Sequence, residues 1–120
     1  MKYMLMIYGN EELWSSFPPE DLEKVVTETN ALHDELQASG EFVSAYGVGD
    51  DVLTKQVTLV DGAPVVTDGP YIEAKEYLGS FDIIDVDSLE RALEIAARVP
   101  FARHGQVEVR PLMHEAPGNE

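Results

Sequence analysis

The chain of 120 residues contains no cysteine. This absence excludes disulfide bonds, thiolate metal sites and a cysteine nucleophile, and it is compatible with a reducing cytosol. Basic residues are also scarce, 8 against 23 acidic ones, so the formal net charge is −15. A surface this negative repels phosphate backbones and anionic lipids. We therefore predict neither nucleic-acid nor membrane binding, because the best local basic patch is sparse: Arg98, Arg103, His104 and Arg110.

Long hydrophobic runs are missing as well. The apolar run at the N-terminus extends only from Tyr3 to Tyr8, shorter than a signal-peptide core and far shorter than the ~20 residues of a membrane span. We therefore expect a soluble, cytoplasmic protein. The length and the hydrophobic content of 44% predict one folded domain over residues 1–113, followed by a flexible tail over residues 114–120.

Several common site motifs are absent from the sequence. It has no phosphate-binding P-loop, no Gly-x-Gly-x-x-Gly, no Gly-x-Ser-x-Gly and no His-Glu-x-x-His. Its three histidines are scattered and form no metal-binding pattern, so we predict neither a metal nor a cofactor. A metal held by His33 with Asp68, or by His104 with Glu108, remains an open alternative.

The apolar pattern predicts two helices and several strands. Pro18 and Pro19 favour the start of the first helix, and Gly40 its end. An Asp-x-x-Glu capping box at Asp87 starts the second helix, which Pro100 ends. Asp61 and Gly62 indicate a hairpin turn. The predicted strands are Lys2–Tyr8, Phe42–Val48, Thr54–Val60, Pro64–Thr67, Leu78–Asp85 and Gln106–Met113.

This order predicts an α+β fold, a ferredoxin-like sandwich with two helices on one face of an antiparallel sheet. Thr29 and His33 fall within the apolar stripe of the first helix and are predicted to face the sheet. Core positions are predicted on both helices: Leu22, Val25, Val26, Leu32 and Leu36 on the first, and Leu89, Ala92, Leu93, Ala96 and Val99 on the second.

The first strand is apolar on both faces, since Tyr3, Leu5 and Ile7 alternate with Met4, Met6 and Tyr8. Two helices can cover only one face of the sheet. The simplest cover for the other face is the same face of a second copy, so we predict a homodimer.

A segment in the middle of the chain carries a family resemblance. It runs from Val66 to Phe81 and contains Asp-Gly-Pro at 68–70, Glu-Ala-Lys-Glu at 73–76 and Leu-Gly-Ser-Phe at 78–81. Together with the opening Met-Lys-Tyr-Met-Leu-Met-Ile-Tyr and the closing Ala-Arg-His-Gly-Gln-Val-Glu-Val-Arg-Pro-Leu, it resembles the DGPF, or YCII-related, family of small bacterial proteins.

The resemblance implies a dimeric α+β barrel, in which two sandwiches pair, and a proposed His–Asp pair whose aspartate corresponds to Asp68. The helical histidine of the family pattern falls near Glu28 or Thr29, and this chain has none there. The resemblance also implies an association with extracytoplasmic-function sigma factors.

Three residues are candidate catalytic groups. Asp68 lies at a rigid Asp-Gly-Pro turn, where a carboxylate at the mouth of an apolar cleft could act as a general acid or base; alternatively, it caps its own turn. His104, which matches the C-terminal part of the family pattern, and His33, on the helix stripe, are the candidate partners. Either histidine could instead be a hydrogen-bonded structural residue.

Three further residues are candidates for substrate binding. Arg110 could hold an anion in the dimer cavity, or could form a cross-strand ion pair on a solvated face. Tyr46, between Ala45 and Gly47, could line a cleft. Asp82 stands where the family usually has a bulky apolar residue, and it is either exposed or a pocket modification.

The neighbouring loop gives weaker predictions. Glu73, Lys75 and Glu76 are interpreted as a solvated surface or as a lid over Asp68. Tyr71, Tyr77 and Phe81 are interpreted as packing residues.

These observations favour three functions. The first is a cofactor-independent acid–base enzyme of the isomerase or lyase type that acts on a small organic molecule. The second is a ligand-binding or regulatory protein with a sigma-factor partner. The third is a structural dimer without catalysis.

Overall fold

The structure of the chain, a computed structural model, describes residues 1–70 and 75–118. The predictions for Tyr71 and Glu73 therefore lie outside the described residues. Two short 3₁₀ helices occur at Asp51–Leu53 and Pro100–Arg103. The strands and α-helices are β1 (Lys2–Gly9), α1 (Glu11–Ser15), α2 (Pro19–Ser39), β2 (Phe42–Gly47), β3 (Lys55–Val60), β4 (Ala63–Asp68), β5 (Tyr77–Asp85), α3 (Leu89–Arg98) and β6 (Gln106–Pro111).

Four strands form the main sheet in the order β2-β5-β1-β6, with every neighbouring pair antiparallel. Helices α2 and α3 pack on one face of this sheet. The predicted ferredoxin-like α+β sandwich is confirmed. Strands β3 and β4 form a separate hairpin, and its turn residues Asp61 and Gly62 have positive φ values of 51° and 81°, as two-residue hairpin turns require.

Helix α2 begins and ends where the sequence predicts. Pro18 precedes its first residue, and Gly40 ends it in a left-handed conformation with φ 80°, which a residue with a side chain rarely adopts. The prediction that Leu22 and Val26 are core residues is wrong: both are about half exposed, although Val25 in the same part of the helix is buried. Val26 lies about 100° around the helix from Val25, and Leu22 lies in the first turn.

Helix α3 starts one residue later than the capping box predicts. Ser88, not Asp87, is the N-cap, and its hydroxyl accepts a hydrogen bond from the Arg91 backbone N–H at 3.1 Å. The prediction that Leu89 and Leu93 are buried is wrong, since both are about half exposed. Leu93 lies about 100° around the helix from the buried Ala92, and Leu89 lies in the first turn.

The hydrophobic core lies between the helices and one face of the sheet. Leu5 and Ile84, from the two central strands, are almost completely buried there. The core contains residues from β1, β5 and both long helices: Tyr3, Leu5, Ile7, Leu32, Leu36, Ile84, Val86, Ala92, Ile95, Ala96 and Val99. Val107 and Val109 of β6 pack against it, which places the intervening polar residues of β6 on the opposite face.

We call that opposite side of the main sheet the open face. Cross-strand registers place apolar side chains next to one another on it, for example Met6 opposite Phe81 and Met4 opposite Ile83. Strand alternation then assigns its members: Met4, Met6, Tyr8, Ser44, Tyr46, Phe81, Ile83, Glu108 and Arg110. As the sequence predicts, β1 is apolar on both faces, yet α2 and α3 cover only one of them.

The β3–β4 hairpin extends away from the main sheet as an arm. Every residue of both strands is exposed, including five large aliphatic ones. These are Val57, Leu59, Val60, Val65 and Val66. An isolated two-stranded hairpin is at best marginally stable in water, so this arm is expected to gain stability from a further contact.

The end of the chain has little regular structure in its described part. Residues 112–118 form neither helix nor strand. Lys2 Nζ nevertheless donates to Glu115 Oε2 at 2.6 Å and ties this segment to β1. The flexibility of residues 114–120 stays a prediction.

Within the described residues, no helix is both long and apolar enough to cross a membrane.

Ion pairs link the two long helices and the segments that follow them. Arg98 and Arg103, two members of the predicted basic patch, pair with Glu35 and Glu28 of α2. Arg91 forms a bidentate pair with Glu41: its Nε and Nη2 donate to the two carboxylate oxygens at 2.8 Å each. The patch therefore offers less free positive charge than the sequence suggests.

The Glu41–Arg91 pair gives a pH prediction. Hydrogen bonds from Arg91, and secondly from Ser39, lower the pKa of Glu41 from 4.5 to about 2. A carboxyl whose pKa is lower in the folded state stabilises the fold above its unfolded pKa, and this contribution is lost as the pH falls through the folded pKa. The denaturation midpoint of Glu41→Gln should therefore lie below the wild-type midpoint at about pH 7, and the gap should nearly close as the pH falls from 4.5 to about 2.

Chemical denaturation followed by circular dichroism at a series of pH values measures this gap. Glu23→Gln, at an exposed position of α2, is the matched control and should show no such gap. A Glu41→Gln gap that stays constant from neutral to acid pH would contradict the prediction.

Candidate functional site

A histidine and an aspartate meet between α2 and β5. His33 Nε2 lies 3.1 Å from Asp82 Oδ2, within hydrogen-bond distance. The two side chains are 18% and 10% exposed. Asp82 is the only charged residue that is buried in the described part of the chain. Because burying a charge without a partner is costly, the two groups depend on each other for this placement.

Strand register explains why Asp82 faces the helices. Its Cα lies opposite Leu5 of β1 and Ala45 of β2, and Leu5 belongs to the helix-covered core. The alternative in which Asp82 is exposed is therefore excluded. The ring of Phe42, the first residue of β2, packs against the ring of His33, with 4.9 Å between centroids, and limits how the imidazole can turn.

A cavity of about 250 Å³ adjoins this pair, and we call it the His33 cavity. Its wall is mostly apolar, with five side chains that bear a polar group: Thr29, His33, Tyr46, Ser80 and Asp82. The remaining lining residues come from the edge strand β2, the core and the segment after α3: Ile7, Leu32, Ala45, Gly47, Val99, Pro100 and Phe101. An apolar concave site with a few converging polar groups is typical of a small-molecule site.

Thr29 and His33 both face this cavity, as the helix stripe predicts. They are four residues apart, so their side chains lie one turn apart on the same side of α2. The Oγ1 atom of Thr29 is buried and has no hydrogen-bond partner among the described residues.

The pairing determines which nitrogen of His33 is basic. A carboxylate can only accept hydrogen bonds, so with Asp82 ionised, Nε2 carries the proton and donates it. Nδ1 then holds the lone pair, and no described residue forms a hydrogen bond with it. A carboxylate placed in this way orients an imidazole base and stabilises the imidazolium that forms when the base takes a proton.

Asp68, the first catalytic candidate, lies at the end of β4 on the exposed arm. Its side chain is 86% exposed and forms an ion pair with Lys55 of β3. The following Gly69 has φ 86°, and its N–H donates to the Thr54 carbonyl at 2.8 Å. The described residues do not bring Asp68 to either histidine. Its catalytic role stays a prediction.

His104 is exposed and follows the second 3₁₀ helix. Its ring packs edge-on against Phe17, with 4.7 Å between centroids, beside the contacts that Phe17 makes with Trp14 and Phe101. His104 does not line the His33 cavity. The structure therefore gives it an aromatic packing contact, and a catalytic role stays a prediction.

Arg110 and Tyr46 lie on the open face. Arg110 is exposed opposite Met4 of β1, as predicted from the inward orientation of the β6 valines. The ring of Tyr46 packs against that of Phe81, with 5.4 Å between centroids, and Tyr46 also borders the His33 cavity. Their substrate-binding roles, which depend on a dimer, stay predictions.

A larger cavity, of about 610 Å³, lies at the end of the sheet near Trp14. The indole of Trp14 occupies space that is free because Gly9 and Gly79 have no side chain. A Cβ at Gly9 would lie 2.3 Å from the ring. None of the predicted site residues lines this cavity. The His33 cavity is therefore the stronger candidate, because a base and a buried carboxylate converge there.

The described residues contain no group of three or more histidine, aspartate and glutamate side chains that could hold a metal ion. The arrangement that remains is a paired imidazole and carboxylate next to a small apolar cavity. Such a pair can take up and release a proton.

Sequence reasoning identified both members of this pair, but not the pairing. It matched the histidines with Asp68 and left Asp82 as a possible pocket modification. The available signal was alternation along β5, since Asp82 has the parity of the core residue Ile84 while Phe81 and Ile83 have the opposite parity. His33 lies on the helix stripe that faces the sheet, and this parity places Asp82 on the sheet face that faces the helices. The two side chains therefore lie in the same space between α2 and the sheet.

Comparisons with known proteins agree with this fold. The sequence model of the YCII-related domain matches residues 1–116. An uncharacterised protein of Rhizobium meliloti (strain 1021) is 30% identical over an alignment of 120 residues. The alignment covers 98% of this chain and 97% of that protein. A solved structure, 5-chloro-2-hydroxyhydroquinone dehydrochlorinase (TftG) from Burkholderia phenoliruptrix AC1100 in complex with 2,5-dihydroxybenzoquinone, has a TM-score of 0.55 at 14% identity, with 96% of each chain covered. At that identity the likeness is one of fold.

Proposed function

This chain belongs to the YCII-related domain family, and from that premise we propose that it is a cofactor-independent acid–base enzyme acting on a small organic molecule in the His33 cavity. The observation that carries the proposal is the buried His33–Asp82 pair beside an apolar cavity. Burying such a pair costs folding stability. Buried ionisable groups beside a cleft are therefore candidates for a functional role.

His33 is the proposed base. Its Nδ1 removes a proton from an O–H or C–H group of the bound molecule, and Asp82 stabilises the resulting imidazolium. The electron pair left by the proton forms a new double bond in the substrate. In an elimination, the leaving group departs with its bonding pair and the proton passes to water. In an isomerisation, the imidazolium returns the proton to another atom.

The dehydrochlorinase of similar fold supports this reaction class. Its name describes loss of hydrogen chloride from a hydroxylated ring, and it was solved with a dihydroxybenzoquinone. Loss of hydrogen chloride needs a base and a leaving group, and this chain offers a base. The transfer of that chemistry to this chain is part of the proposal, because a shared fold hosts many activities.

The experiment tests turnover directly. The purified protein is incubated with a panel of halogenated phenols and hydroquinones, and halide release is measured. Exchange of substrate C–H groups with deuterium oxide, followed by NMR, detects isomerisation. We expect at least one compound to be turned over by the wild type and not by His33→Gln. Equal turnover by both proteins would contradict the proposal.

We also propose that the working unit is a homodimer paired through the open face. This face carries Met6, Phe81 and Ile83 next to one another, and the exposed aliphatic residues of the arm offer more apolar area. When the open faces of two copies of the chain pack against each other, the apolar side chains of both faces are buried.

Light scattering at micromolar concentration should give twice the chain mass of 13.3 kDa. Tyr46→Glu, at an exposed position on the open face, should shift the mass towards that of one chain, because it places a charge in the proposed interface. Val52→Glu, at an exposed position outside this face, should leave the mass unchanged. A wild-type mass of one chain would rule out the dimer.

A further inference from the structure

From the unpaired hydroxyl of Thr29, we infer that the His33 cavity selects small ring compounds that carry a hydroxyl or carbonyl oxygen, and that Thr29 binds this oxygen. This inference rests on the proposed function in one respect only, namely that the cavity is the substrate site. It adds the substrate class and a specificity-determining residue.

The hydroxyl of Thr29 is the starting observation. Buried polar groups are almost always hydrogen-bonded, and a threonine in a helix usually satisfies its hydroxyl with a backbone carbonyl one turn earlier. Thr29 Oγ1 is buried without any partner in the described chain, so it is not accessible from the cavity in its present rotamer. Thr29 is nevertheless one of the residues that line the cavity, and a threonine in a helix has a second common χ1 rotamer. In that rotamer, a ligand atom in the cavity can supply the missing hydrogen bond.

The size of the cavity limits the ligand. Its volume is about 250 Å³, below the range of about 300–1,000 Å³ usual for drug-sized ligands. An apolar cavity of about 150 Å³ accepts benzene. A single ring with a few substituents therefore fits.

The lining determines the polarity of the ligand. Leu32, Val99, Pro100 and Phe101 present an apolar surface that suits the faces and edges of a ring. A hydroxyl group can both donate and accept a hydrogen bond, so Thr29 can bind either a hydroxyl or a carbonyl oxygen. A plain hydrocarbon ring would leave Thr29 unpaired, so binding should favour the oxygenated ring.

The positions of Thr29 and His33 give this contact a consequence for the chemistry. The two residues lie one turn apart on α2, with Cβ atoms about 5–6 Å apart. A ring whose oxygen binds Thr29 therefore lies within reach of His33. Thr29 is a binding residue that orients the ring, while the proton transfer is assigned to His33.

The test uses phenol and toluene, which have nearly the same shape and differ by a hydroxyl and a methyl group. NMR titration of the isotope-labelled protein gives a Kd for each probe from resonances of residues around the cavity. The wild type should bind phenol more tightly than toluene. In Thr29→Val, which keeps the side-chain shape and removes the hydroxyl, this preference should fall by about three- to tenfold.

Two variants serve as controls. Thr29→Ser retains the hydroxyl and should keep most of the preference for phenol. Thr27→Val makes the same substitution at an exposed position of the same helix and should not change the ratio. In the absence of ligand, Thr29→Val should be at least as stable as the wild type, because an unpaired buried hydroxyl has been removed; a structural hydroxyl would give a loss of stability.

Each outcome decides the inference. If phenol and toluene keep the same ratio of Kd values in the wild type and in Thr29→Val, or if neither shifts the cavity resonances of the wild type, the inference is overturned. The acid–base proposal is judged separately, by the turnover of His33→Gln. If Thr29→Val changes the ratio and His33→Gln keeps full turnover, the inference stands and the proposed mechanism fails.

Discussion

Replacing His33 by glutamine should lower the turnover number by about 10²–10⁴-fold, the usual contribution of a positioned general base. Glutamine keeps a polar group near Asp82 and can still donate a hydrogen bond to its carboxylate. The fold should therefore be retained while the group that accepts a proton is removed. The turnover number and KM on the best substrate of the panel give the result, and KM should change far less than the turnover number.

The pH dependence of the rate provides a second readout. With an imidazole base, the rate of the wild type should have an acid limb, because a base that has already taken up a proton cannot accept another. The residual rate of His33→Gln should lack this limb. A glutamine variant that retains the same acid limb would show that another group is the base.

The matched control is His114→Gln, an exposed histidine of the C-terminal segment, which should leave both kinetic parameters unchanged. Asp68→Asn separates the two catalytic hypotheses that the sequence offers. If Asp68→Asn abolishes turnover and His33→Gln does not, the base lies on the arm and the His33–Asp82 proposal is wrong. The same comparison with His104→Gln tests the third catalytic candidate.

The fold could be predicted because its signals are local. Gly40 and the Asp61–Gly62 turn require positive φ values, which few other residues adopt. The order of strands and helices then leaves few arrangements that bury the apolar strand β1. Element order and strand parity therefore led to the ferredoxin-like sandwich.

Errors arose where a residue's environment depends on the extent of its neighbours. Leu22 and Val26 have helical spacing, but only part of the apolar side of α2 is covered: Val25 is buried, while Leu22 and Val26 are about half exposed. The apolar pattern shows which side of a helix is apolar, and it does not show how much of that side its neighbours cover.

The site could be predicted only in part, for the same reason. His33 and Asp82 are 49 residues apart, and their contact depends on how α2 lies across β5, which no local pattern encodes. Asp68 attracted attention because its Asp-Gly-Pro turn is visible in the sequence. The structure places that turn on the exposed arm, where Asp68 forms an ion pair with Lys55.

The second large effect concerns stability and distinguishes a functional pair from a structural one. His33→Leu should destabilise the fold by ~3–5 kcal/mol at neutral pH, because it leaves the Asp82 carboxylate buried without a partner. Replacing both members by leucine removes the charge as well as the polar partner, and such replacements of buried pairs are often neutral or stabilising. The double variant His33→Leu with Asp82→Leu should therefore recover most of the loss.

Denaturant titrations of the wild type, both single variants and the double variant form a double-mutant cycle that measures this coupling. The double variant should be nearly as stable as the wild type and have no turnover. Natural proteins retain such costly groups mainly at functional sites, where activity is maintained at the expense of stability. A double variant that remains as unstable as His33→Leu would show instead that the pair is needed for packing, and the buried histidine and carboxylate would then be a structural feature of the fold.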